Sequence, residues 1–152
     1  MKKKHSSDGV VNRRARFDYN IERTLIAGIA LSGPETKSLR MNHGVLSGTH
    51  VVIKDDGAWL INLQVHPLQT NLAHLPEDTR DRSRRLLLKA KEIEELLVEK
   101  TSGKQIVATK LLTKGRFIKV ELGVGRGMKR YDKRENIKRR DTERIEQRGF
   151  KS

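Results

Sequence analysis

THVVIKDDGAWLINLQV, residues Thr49–Val65, sets two runs rich in β-branched and aromatic residues on either side of an Asp-Gly pair. Asp-Gly flanked by such runs is a strong short-range hairpin signal, because tight hairpin turns favour residues that accept positive φ. The segment reads as a strand THVVIK, a turn DDG and a strand AWLINLQV, with His66-Pro67 ending the second strand.

Upstream, YNIERTLIAGIAL (Tyr19–Leu31) places Tyr19, Ile21, Leu25, Ile26, Ile29 and Leu31 in a strand-like run. Gly28 inside it predicts a bulge or a sharp bend. GPETKSLR (Gly33–Arg40) reads as a short helix. Pro34 suits its first position, Glu35 its positive N-terminal end and Arg40 its C-terminal end, with Gly44 as the stop.

Downstream, residues 66–82 read as a loop. From Ser83, a candidate N-cap, Leu86, Ala90, Ile93 and Leu97 recur at helical spacing, and Gly103 ends the helix. Two further strands follow, QIVATKLLT and RFIKVELGV, joined by Lys114-Gly115. Val120 and Leu122 alternate with Lys119 and Glu121, as in a half-buried strand. Several short strands with bends and few helices predict a mainly β protein with helices. The expected architecture is a small closed or partly open barrel, with an OB-like closed antiparallel β-barrel and flanking α-helices as the first choice. The expected organisation is a basic N-terminal arm over 1–16, the barrel over 17–124 and a basic, intrinsically disordered tail over 125–152.

The chain has 152 residues, 33 Lys or Arg against 19 Asp or Glu, and a net charge of +14. Such a balance points to polyanionic partners, nucleic acid above all. A membrane partner is disfavoured, since no run approaches the ~18–20 apolar residues a span needs. The basic start lacks an apolar stretch after it, so it does not read as a secretory signal. There are no cysteines, which excludes disulfides and thiolate metal sites and fits a reducing cytosol. A cytoplasmic location is expected.

The five histidines have no metal-ligand spacing, and no carboxylate pair or serine stands in a catalytic pattern. Neither a metal, a cofactor nor an enzymatic activity is expected. GVGRG (Gly123–Gly127) precedes a charged tail without a βαβ unit, so it reads as a hinge and not as a nucleotide cradle. The tail from Gly125 holds eleven Lys or Arg, five acids and few apolar residues. One thin stripe, Ile137 and Ile145, cannot offset the entropy of ordering it alone. It is expected to fold only against a polyanion, with Tyr131 as a base-stacking ring among cations. The plain alternative is a solubilising tail.

Three stretches carry a family resemblance: NRRAR-DY (Asn12–Tyr19), G-E-KSLR (Gly33–Arg40) and KVELGVGRG-K-YDKRE (Lys119–Glu135). With AWLIN, HP and R-RRLLL (Arg82–Leu88) between them, their order and spacing resemble the small protein B family of bacterial tmRNA-binding proteins. The resemblance implies an adaptor of trans-translation that binds the tRNA-like domain of tmRNA. It implies delivery of alanyl-tmRNA, with elongation factor Tu and GTP, to stalled ribosomes. It further implies a tail lying in the empty mRNA channel near the small-subunit decoding centre, and a monomeric protein.

Carried over by motif, the tmRNA-facing candidates are Asn12, Arg13, Lys37, Arg40 and Lys119, with Leu87 as an apolar contact or a core leucine. The ribosome-facing candidates are Lys129, Tyr131, Asp132, Lys133, Arg134, Lys138 and Arg139. Three places depart from the pattern, one of them Thr79-Arg80-Asp81-Arg82, where relatives often read Asp-Pro-Thr-Arg. Ile26 stands where relatives carry a Glu of the RNA interface, so no such role passes to it, and Met128 stands where Lys is common. The competing reading is a general structural RNA-binding or ribosomal protein, which shares the charge and the strands.

Overall fold

The structure, a computed structural model, describes residues 9–128. The tail residues Lys129, Tyr131, Asp132, Lys133, Arg134, Lys138 and Arg139 lie outside that range. In chain order the elements are α1 (Arg13–Asp18), β1 (Tyr19–Ile29), α2 (Gly33–Arg40), β2 (Gly44–Val45), β3 (His50–Lys54), β4 (Gly57–Ile61) and β5 (Gln64–Val65). Two 3-10 turns, Gln69–His74 and Glu77–Thr79, lead to β6 (Arg84–Leu87), α3 (Ala90–Thr101), β7 (Gln105–Leu112) and β8 (Lys119–Gly127).

Six strands form one antiparallel sheet in the order β3-β4-β6-β1-β8-β7, and β2 pairs with β5 apart from it. The Asp55-Asp56 turn joins β3 to β4 with Lys54 opposite Gly57. The inner face carries the core. Leu60, Ile106, Leu111, Val120, Leu122 and Val124 are fully covered, joined by Leu39 of α2 and Leu96 of α3. Each such leucine contributes about 1.5–3 kcal/mol over its exposed state.

The expected closed barrel does not form. β3 and β7 approach one another but share no ladder. The free edge of β7 is already occupied by the N-terminal segment. Leu111 N–H donates to Val10 O at 2.7 Å, Asn12 N–H donates to Thr109 O at 2.8 Å, and Val11 bridges Lys110. On the β3 side, Lys100 Nζ of α3 donates to Val51 O at 2.8 Å. These edge groups are thus satisfied without strand closure.

The same contacts correct the expected arm for residues 9–16. Val10 and Ala15 are buried and Asn12 caps α1. Other expectations fail for local reasons. Asn62, at φ +69, breaks the second hairpin strand, so Gln64–Val65 leaves the sheet to pair with β2. Arg84–Leu87 forms a strand in place of the helix expected from Ser83. Arg84 and Leu86 point inward while Arg85 and Leu87 point out, a period of two. Helix α3 therefore starts at Ala90, and Leu96 is its buried residue while Leu97 is half exposed.

α2 matches its sequence signals, and Ser32 and Glu35 complete a capping box at its start. It ends before Gly44, where Asn42 adopts φ +63. The bulge expected at Gly28 falls instead at Glu22, between Ile21 and Arg23. GVGRG is no hinge but the end of β8, paired with Tyr19–Thr24. Gly125 is required there, because a Cβ would run into the backbone of Asn20.

Candidate nucleic-acid interface

On the outer face of the sheet, the register sets Leu87 of β6, Gly28 of β1 and Lys119 of β8 in one row across three strands. Leu87 is 58% exposed, so it is a surface residue and not a core one; its neighbour Leu86 serves the core. Ile26, two residues along β1, is also exposed and sits opposite Glu121. A Cβ on Gly28 would stand 3.1 Å from the Leu87 Cβ, so glycine lets that leucine lie flat over β1. The result is an apolar strip ending in an exposed lysine.

The β7–β8 hairpin tip extends this face. Its loop, residues 113–118, is gripped by α2. Arg40 Nη1 donates to Thr113 O at 2.6 Å and to Gly115 O at 3.0 Å, and its Nη2 donates to Arg116 O at 3.1 Å. Lys37, one turn earlier on α2, is exposed on the same side as Arg40. Lys114 and Arg116 are exposed, and Phe117, 71% exposed, lies under the Arg116 guanidinium at 5.9 Å from its ring centre. Sequence reasoning took Lys114-Gly115 only as a connector and Phe117 as a strand residue. The available signal was an aromatic ring in a basic Lys-Gly-Arg-Phe turn.

What holds α2 in place is buried charge. Glu35 accepts from Ser32 N–H at 2.9 Å and from Arg82 Nη2 at 2.6 Å through Oε1, and from Arg84 Nε and Nη2 at 3.0 and 2.6 Å through Oε2. Arg84 spends its other donors on the carbonyls of Leu63, Arg82 and Arg80. Burial alone would raise the Glu35 carboxyl, but the Ser32 N–H and the Arg82 and Arg84 guanidiniums outweigh it and hold it below its ordinary 4.5. Burial lowers the Arg84 guanidinium from its ordinary value, with Glu35 opposing that shift.

Lys37, Arg40, Leu87 and Lys119 are therefore all exposed, Leu87 and Lys119 in one row and Arg40 bonded to the loop that leads into Lys119. Asn12 is not. It is 6% exposed, and its Nδ2 donates to Leu46 O at 3.1 Å and Ala108 O at 2.8 Å while Oδ1 accepts from Ala15 N–H at 3.2 Å. The residue expected to face RNA is a stitch between the loop after β2 and β7. Arg13 is exposed on α1, which packs against β1 and β7, away from the hairpin tip. Among the described residues, no group of three or more His, Asp or Glu side chains could hold a metal ion.

A mainly β body whose outer face sets cations around exposed apolar and aromatic side chains defines a nucleic-acid-binding protein by its chemistry. The chain belongs to the SmpB protein family, whose family model matches residues 9–152. It is 44% identical to the SsrA-binding protein of Chloroflexus aurantiacus over 151 residues, covering 97% of this chain and 94% of that one. It is 39% identical to the SsrA-binding protein of Pseudomonas syringae pv. syringae over 152 residues, covering 99% and 94%. A solved structure from "tmRNA-SmpB: a journey to the center of the bacterial ribosome" aligns with a TM-score of 0.66 at 37% identity, over 84% of this chain and 93% of its own.

Proposed function

We propose that this chain is a non-catalytic, RNA-binding adaptor of trans-translation, working in the cytoplasm as a monomer. Its body binds the tRNA-like domain of tmRNA. The complex, with elongation factor Tu and GTP, carries alanyl-tmRNA to a ribosome stalled without a usable codon. The basic tail then enters the empty mRNA channel, where Lys129, Tyr131, Asp132, Lys133, Arg134, Lys138 and Arg139 meet the decoding centre. In this reading the body and the tail are separate units of function.

The observation that carries the body's part is the row Leu87, Gly28, Lys119, with the exposed Lys37 and Arg40 of α2 as further cations. Cations at the rim attract phosphate, while the strip of Leu87 and Ile26 can meet sugar and base surface that a uniformly charged patch would not. Membership in a family whose relatives are SsrA-binding proteins supports the choice of RNA. The test is to pull the protein from cells and sequence the RNA that accompanies it. One dominant species ending in a tRNA-like CCA acceptor is expected. A broad set of structured RNAs would assign the chain instead to general RNA binding.

A further inference from the structure

We propose that Trp59, with Arg85 and the cleft beside it, forms a second RNA subsite that takes a single unstacked nucleobase. The proposal rests on the RNA-binding reading above and names a contact beyond the Lys119 row. Trp59 lies on the outer face of β4, between the fully buried Ala58 and Leu60. It faces Val52 of β3 on one side and Arg85 of β6 on the other. Its indole is held, since Nε1–H donates to Asp56 Oδ1 at 3.1 Å. Lys54 Nζ and the Arg85 guanidinium stand 5.7 and 5.9 Å from the ring, at the outer limit of cation–π contact. Arg85 is itself anchored, with Nη2 2.5 Å from Asp56 O.

A fixed ring flanked by two cations on an otherwise apolar stretch of sheet is the arrangement that stacks a base and draws its phosphate. The neighbouring cleft, about 380 Å3, is lined by Gly57, Arg85, Leu87, Lys89, Glu92 and Ile93. Leu87 joins it to the Lys119 row, so one strand of RNA crossing β8, β1 and β6 reaches β4 next. The Glu92 carboxylate in the cleft caps α3, its Oε1 accepting from Lys89 N–H at 2.9 Å, and its remaining oxygen repels phosphate and suits an exocyclic amino group. The cleft therefore suits a base edge and not a backbone. A hairpin-stabilising role for Trp59 explains the Asp56 bond but not a cationic cleft continuous with the interface.

Trp59 is the one tryptophan of the chain, so its fluorescence reports on this site alone. The experiment titrates the full chain with transcribed tRNA-like-domain RNA, following Trp59 emission and, in parallel, binding by gel shift. Trp59→Leu and Trp59→Phe are compared in the same gel-shift assay. The expected result is quenching that saturates together with binding. Trp59→Leu should lose about 5- to 150-fold in affinity, and Trp59→Phe should keep most of it. Full binding with unchanged emission, or unchanged affinity in Trp59→Leu, overturns the subsite and leaves the adaptor reading standing. Failure of the unmodified chain to bind the RNA overturns both. The emission arm uses the native chain, so poor folding of a variant does not shield the proposal.

Discussion

Arg84 Nη2 lies 2.6 Å from Glu35 Oε2, with both side chains 1% exposed or less. The pair ties α2 to β6, and so ties Lys37 and Arg40 of α2 to the sheet. Removing one partner leaves the other charged in the interior, which costs about 3–5 kcal/mol. Glu35→Ala should lose that much stability in urea unfolding. Glu35→Leu combined with Arg84→Met should lose less than the two single changes added together. A double variant that loses the full sum would show that the two residues do not act as a pair.

Acid should find this pair. The Glu35 carboxyl is held below its ordinary value in the folded state, so its contribution is present above pH 4.5 and is lost as the pH falls through the lowered folded value. The melting temperature of the unmodified chain should drop steeply as the pH falls below 4.5. Glu35→Gln should start lower and fall less over the same interval. Parallel curves for the two proteins would refute the assignment.

Lys119→Ala and Lys37→Ala should weaken tmRNA binding and flatten its salt dependence. Each lost phosphate contact removes about 0.7–0.9 from the log–log slope. Arg40 is a different case, because its guanidinium already holds three carbonyls of the β7–β8 tip. Arg40→Lys keeps the charge but loses the fork that grips the loop. It should therefore weaken binding through the tip while changing the salt slope little. Binding isotherms at four salt concentrations distinguish the two behaviours.

Asn12→Ala should act on stability and not directly on RNA. It removes the side-chain donor of the Ala108 carbonyl, while Leu46 O keeps Thr49 N–H and Oγ1 and Ala15 N–H keeps Asn12 O, so the cost is about 1–3 kcal/mol in all. Measured well below its melting point, the variant should bind tmRNA with nearly native affinity. A large affinity loss in a fully folded Asn12→Ala protein would return Asn12 to the interface.

Truncation after Met128 should leave a folded, tmRNA-binding body. β8 ends at Gly127 and Met128 N–H donates to Asp18 O at 2.8 Å, so the ladder is complete at that point. Tagging of stalled chains should be abolished, as it should be when Asp132, Lys133 and Arg134 are all replaced by alanine. Binding and tagging measured in parallel test the separation. Tagging that proceeds without residues 129–152 would overturn the role proposed for the tail.

The β3–β4 hairpin, α2 and the β7–β8 pair were legible in the sequence because each is set by local chemistry: an Asp-Gly turn, a Pro-Glu start, a strict alternation. β6 was not. Its inward residue is an arginine, and Arg84 reads as surface until Glu35, far away in sequence, is known to meet it. Leu86 then falls in line with Ala90, Ile93 and Leu97 as a helix stripe. The course of the N-terminal residues was hidden for a similar reason, since Asn12 gains its role from Leu46 and Ala108 and not from its neighbours. Of the interface, the lysines and Leu87 were readable through motif resemblance. Phe117 and Trp59 were not, because alternation alone does not say which face of a strand looks outward.

Where β3 and β7 approach without a shared ladder, the sheet has a parting line. Lys100 holds β3 to α3 there, and Asn12 holds β7 to the loop ahead of β3. A sheet fastened in this way can flatten or tighten its curl by moving side chains, with every ladder left intact. Any such change of curvature is opposed by these side-chain bonds and not by strand pairing. A fully laddered cylinder would have to break strand pairing to do the same.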